Sequence, residues 1–135
     1  MGILSKSAAS IGFYGDELEP AELTRLLGTE PTVGVSKGGT WQTSGGAEKT
    51  ASIGSWRLIA ERRAPGDLDG QINELLDRMA DDFSAWRTLA SRYRGRVFCG
   101  LFLTEGNEGL TLQASTVLRL AERGLQIDLD IYGPE

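Results

Sequence analysis

The sequence predicts an α+β fold, a two-layer sandwich with helices on one face of a mixed or antiparallel sheet. Three observations predict it. Several short segments alternate apolar and polar residues with period two, as half-buried strands do. Between them lie segments whose apolar residues recur at helical spacing. Their order reads as two β-α-β units joined by one long helical stretch, an arrangement of ferredoxin-like character. At 135 residues the chain has the size of a single domain, residues 1–135, and 40% hydrophobic with 24% charged residues is enough to bury a core.

The first strand is expected over 7–14, where Ala9, Ile11 and Phe13 alternate with Ser10, Gly12 and Tyr14. A short helix follows. Pro20 suits its first turn, Glu19 stands at the cap, and Leu18 with Leu23 has the spacing of a hydrophobic staple. Gly28 and Pro31 stop it. Glycine, at 18 residues, crowds with Ser and Thr over 34–54, which reads as a flexible Gly-rich loop. A second strand spans about 53–62, with Trp56, Leu58 and Ala60 on one face and Arg57, Ile59 and Glu61 on the other. After the Pro65-Gly66 turn, Asp67 can cap a helix.

The segment 68–93 carries the strongest helical signal. Ile72, Met79, Trp86 and Tyr93 recur every seven residues, and so do Leu76, Phe83 and Ala90. Unbroken, the stripe would run about 39 Å. Asp81-Asp82 in its middle is compatible with one helix or two. The segment 97–104 is apolar on both faces and should be a central strand. A turn near 106–109, a short strand to Leu112 and a helix over 114–123 follow, closed by Gly124. In the last strand, 125–132, Leu125, Ile127, Leu129 and Ile131 are expected to face the core, and Gln126, Asp128, Asp130 and Tyr132 to face away.

Composition narrows the chemistry. The chain has no histidine, which removes Ser-His-Asp and Cys-His catalysis and histidine metal sites. One cysteine, Cys99, permits no internal disulfide. It lies in an apolar strand with no histidine to activate it, and reads as core. No apolar run is long enough for a membrane helix, and Met1 to Ser10 lacks the pattern of a secretory signal. A cytoplasmic location is therefore expected. A net charge of −5 works against a phosphate backbone as partner.

The order Gly15, Leu18-Glu19-Pro20, Leu26-Leu27-Gly28, Pro31-Thr32, Lys37-Gly38, Trp56 and Leu125 to Asp130-Ile131-Tyr132 resembles an uncharacterised bacterial family, domain of unknown function 4279. The resemblance runs from about Ser7 to Tyr132. It implies a small stand-alone bacterial protein and brings no activity. By analogy alone, some bacterial proteins of this size are immunity factors that bind a toxin.

Candidate site residues are few. Asp128 and Asp130 share one strand face about 7 Å apart. Such a pair suits acid–base work or a divalent cation, with Glu61 as a further carboxylate, or else simply a solvated face with a cross-strand Asp–Arg pair. Lys37-Gly38-Gly39-Thr40-Trp41 lacks the spacing of a phosphate-binding loop; Trp41 suits a loop anchor or an interface. Arg94-Gly95-Arg96-Val97-Phe98 matches an RNA-recognition consensus only in part, with arginine where an aromatic is needed, so Arg92, Arg94 and Arg96 are read as the basic end of a helix.

The leading expectation is a non-catalytic protein-binding module that uses the outer sheet face. Its binding residues are Tyr14, Lys37, Trp41, Arg57, Asp128, Asp130 and Tyr132. No catalytic residue, metal site or cofactor is assigned. An acidic face suggests a basic protein partner, as in an immunity-type role, and a homodimer is the other association expected. Nucleic acid and membrane are not expected partners. The alternatives are a carboxylate- or metal-dependent enzyme and a small-molecule sensor on the same face.

Overall fold

The structure is a computed structural model that describes residues 2–135. Strand β1 (Gly2–Ile3) is followed by β2 (Lys6–Gly15), α1 (Pro20–Leu27), β3 (Val33–Val35), β4 (Thr40–Gln42), β5 (Glu48–Thr50) and β6 (Gly54–Ile59). Then come α2 (Leu68–Asp77), α3 (Phe83–Arg92), β7 (Arg94–Phe102), β8 (Glu108–Gly109), α4 (Ala114–Glu122) and β9 (Gln126–Tyr132). The main sheet has the order β3-β6-β2-β7-β9. Its pairs are antiparallel except β7–β9, which is parallel. This is an α+β fold, with helices packed against a mixed sheet.

Register places the core on one sheet face. Phe13 pairs with Trp56, Ile11 lies between Leu58 and Val97, and Ala9 faces Cys99. All are buried, and Leu23, Leu27, Ile72, Leu75, Trp86 and Leu89 of the first three helices close over them. Phe13 meets the rings of both Trp56 and Trp86. The central position expected for β7 holds, with β2 on one side and β9 on the other.

The first helix forms as its sequence signals direct. Leu18 and Leu23 are fully buried, and Gly28 ends the helix at φ 72°, a left-handed conformation that glycine adopts without strain. Glu19 does not cap with its side chain; its carboxylate accepts from Ser36 Oγ at 2.9 Å.

One open alternative is decided and three expectations are corrected. The segment 68–93 is two helices. Asp82 Oδ1 accepts from Ser84 N at 2.9 Å and starts α3, while Ala80 N reaches back to Leu27 O. The break resets the helical phase, so Phe83 and Ala90 lie exposed while Ala85 and Leu89 are buried. The stretch 34–54 is not one loop: β3 joins the main sheet, and β4 and β5 form a hairpin. The two halves are not parallel β-α-β repeats. β2 and β6 are antiparallel neighbours, and only β7–α4–β9 returns parallel.

The third correction concerns β9. Ile127, Leu129 and Ile131 do share the face of Val97, Cys99 and Leu101, but they are 37%, 54% and 61% exposed. Alternation tells which residues share a face. It does not tell whether a helix covers that face at the sheet edge, and here the hydrogen bonds of α4 run to α2.

Two polar devices tie the periphery down. Ser7 is fully buried; its Oγ donates to Gln71 Oε1 at 2.5 Å and accepts from Asp67 N at 2.9 Å. Gln71 Nε2 in turn donates to the carbonyls of Ser7 and Glu61. Just ahead of β2, at the same end, the Glu108 carboxylate accepts from the amides of Ser5, Thr104 and Glu105 and from the Ser5 hydroxyl. No helix among the described residues is long and apolar enough to cross a membrane.

Candidate functional site

The sheet face opposite the helices carries the polar and aromatic residues of β2, β6, β7 and β9 in rows set by register. One row is Arg57, Gly12, Arg96 and Gln126. The next toward one end is Ser55, Tyr14 and Arg94. Toward the other end lie Ser10, Phe98 and Asp128, then Ala8, Gly100 and Asp130, then Lys6, Phe102 and Tyr132.

Gly12 explains the local shape. A Cβ there would lie 2.8 Å from the Tyr14 hydroxyl and 3.1 Å from its ring. Tyr14 therefore lies down along its own strand, over the bare backbone of Gly12 and between the two arginines. The Arg96 guanidinium carbon sits 5.1 Å from the Tyr14 ring centre and 4.8 Å from that of Phe98. The Arg57 carbon sits 5.3 Å from the ring of Trp41, which the β4–β5 hairpin brings over the sheet.

These groups border a cleft of about 350 Å³ between the sheet and the hairpin, lined by Tyr14, Trp41, Lys49, Ser55, Arg57 and Arg96 among others. None of the described residues that line it is acidic, although the whole chain carries −5. Arg96 donates through Nη1 to Asp128 at 3.0 Å, and its buried Nε has no partner among the described residues.

The expected site residues therefore separate. Tyr14, Trp41 and Arg57 meet at the cleft, and Asp128 joins them through Arg96. Lys37 lies apart, 3.5 Å from Asp16. Asp130 and Tyr132 form their own group: the Tyr132 hydroxyl donates to Asp130 at 2.5 Å, and its ring stacks on Phe102 at 4.8 Å. Arg96, with a further hydrogen bond from Gln126, holds the Asp128 carboxyl below its ordinary range. The hydrogen bond to Asp130 raises the Tyr132 phenol.

The expected acidic face is also corrected. Asp128 and Asp130 share the face with Lys6, Arg57, Arg94 and Arg96, and Lys6 and Arg62 both lie over Phe102. Arg94 and Arg96 are not the end of a helix, because β7 begins at Arg94 and turns them outward. Lys49 and Arg96 were not expected at the site. The available signal was Gly12, a lone glycine inside an alternating strand and two residues before a tyrosine.

The family model described as domain of unknown function (DUF4279) matches residues 5–134. The chain belongs to the DUF4279 family. No curated protein and no solved structure matches it with significance. As a DUF4279 domain it carries no activity by inheritance, and its chemistry rests on its own side chains. Cys99 is buried, and desolvation pushes its thiol up to about 12. Among the described residues no group of three His, Cys, Asp or Glu side chains could hold a metal ion.

Proposed function

We propose that this chain is a non-catalytic interaction module that engages a protein partner through the outer sheet face. The cleft at Tyr14, Trp41, Arg57 and Arg96 takes an anionic, planar group of that partner. The observation that carries the reading is segregation of charge: three cations and two aromatic rings line one cleft, without a carboxylate, in an acidic chain. Cations fix an anion by charge-assisted hydrogen bonds, and the rings give flat apolar contact beside them. The protonated Cys99 thiol and the absence of histidine support binding rather than turnover.

A free small molecule with the same chemistry is the second source, favoured by the cleft volume, which falls at the low end of ligand sites. Trp41 reports on both, since Trp56 and Trp86 are buried in the core. Titrations would follow tryptophan fluorescence with a glutamate- and tyrosine-containing peptide, with adenosine monophosphate and with inorganic pyrophosphate. A response to the peptide alone supports the protein partner; a response to the nucleotide alone moves the reading to a sensor. Either response should be lost in Arg57→Glu. Silence with all three probes, or a response that survives Arg57→Glu, overturns the site.

A further inference from the structure

We infer that the free edge of β9 is a second interaction surface, which accepts an added strand from a protein whose residues alternate apolar and basic. The inference does not depend on the cleft. It rests on the backbone, apolar and charged features of one seven-residue strand.

β9 bonds to β7 on one side only and ends the sheet. Tyr132 O accepts from Leu103 N, so Tyr132 turns its backbone groups toward β7. By strand alternation, Asp128 and Asp130 do the same, and Ile127, Leu129 and Ile131 turn theirs outward. Their N–H and C=O groups form a ladder ready for one more strand, the geometry of strand addition.

The side chains say what that strand must be. On the helix side it meets Ile127, Leu129 and Ile131, a row of apolar side chains that the described residues leave partly exposed. On the other side it meets Asp130, which accepts from the Tyr132 hydroxyl, and Asp128, which Arg96 already pairs at 3.0 Å. Directly opposite residues stand about 4.5–5.5 Å apart at Cβ, so apolar residues on one face and Lys or Arg on the other satisfy both rows.

A second copy of the chain is the wrong occupant. In an antiparallel pair, Leu129 meets an apolar residue in three registers, opposite Ile127, Leu129 or Ile131 of the other copy. The first sets Asp128 against Asp128, the second Asp128 against Asp130, and the third Asp130 against Asp130. Like charges directly opposite destabilise the pair. Arg96 already pairs Asp128, so Asp130, in no ion pair among the described residues, carries the charge that weighs against a second copy and favours a basic strand.

Nine-residue peptides test this with the full chain: one alternating Lys and Val, one with the same residues in two blocks, and one alternating Glu and Val. Affinity would be read by fluorescence anisotropy, and amide exchange by NMR. The alternating Lys peptide should bind at least tenfold tighter than either control and slow exchange at Ile127, Leu129 and Ile131 at least tenfold. Asp130→Lys should narrow or reverse the preference over the Glu peptide. Leu129→Pro removes an outward N–H and should abolish binding; if that variant does not fold, Asp130→Lys still decides. Equal binding of the blocked peptide, unprotected β9 amides, or no binding overturns the inference. So does a dimer in sedimentation velocity with those three amides already protected, which would make a second copy the occupant.

Discussion

Replacing Ser7 with alanine isolates a buried polar contact from packing, because it removes one oxygen from a fully buried position. Two groups lose their partners. Gln71 Oε1 loses its donor, and Asp67 N–H loses its acceptor. Gln71 cannot rotate to compensate, since its Nε2 is held by the carbonyls of Ser7 and Glu61. Gln71 Oε1 is the buried one, and a buried group left unsatisfied costs about 1–3 kcal/mol. With an unfolding entropy of about 2.1 cal/mol/K per residue, the melting temperature should fall by about 4–11 °C. Urea unfolding of wild type, Ser7→Ala, Gln71→Ala and the double variant checks the origin of the loss. Once Gln71 is gone, Ser7→Ala should cost less, leaving a coupling of about 1–2 kcal/mol. A single-variant loss below about 0.5 kcal/mol, the level of an ordinary surface change, would refute the reasoning. So would strict additivity.

Gly12→Ala puts a methyl group against the free end of Tyr14, so the ring should swing away while the fold persists. Anionic probes should then bind at least tenfold more weakly with the melting temperature nearly unchanged; unchanged binding would show that the ring's resting place is irrelevant. Desolvation works to raise the Glu108 carboxyl, but the amide of Glu105 and the hydroxyl and amide of Ser5 outweigh it and bring it from 4.5 down to about 2. A carboxyl depressed on folding stabilises above its unfolded value and loses that contribution as pH falls from about 4.5 to about 2. The stability gap between wild type and Glu108→Gln should therefore be full at pH 6 and close across that window in urea titrations. A gap constant from pH 6 to pH 2 would contradict the carboxylate's role.

Local signals in the sequence are legible where one residue decides the outcome. The staple of Leu18 and Leu23 and the stop at Gly28 needed no tertiary information. The same holds for the alternation of β2, whose inward residues Ile11 and Phe13 are buried as expected. Global arrangement was less legible. Asp82 offered a cap in the middle of an apolar stripe, and whether the stripe continued depended on Ala80 reaching α1 across the fold. The exposure of Leu129 depended on where α4 packs, which alternation does not encode. At the site, Tyr14 and Arg57 stand out by face, but Arg96 reads as a helix end because the apolar run of β7 begins only at Val97, three residues after the strand itself.

The order of strands in the sheet has a temporal side. β2 is made first among the strands of the main sheet, yet it sits in the middle of the finished sheet. Its partner β6 follows at Gly54, and its other partner β7 begins only at Arg94. At a synthesis rate of 5–20 residues per second, about 4–16 s separate the completion of β2 from the first residue of β7. During that interval Ile11 and Phe13 lack at least half of their sheet neighbours. The nascent chain passes through a stage in which the β2–β6 pair is open along one side, and whatever attends it on the ribosome meets that edge before it ever meets the cleft.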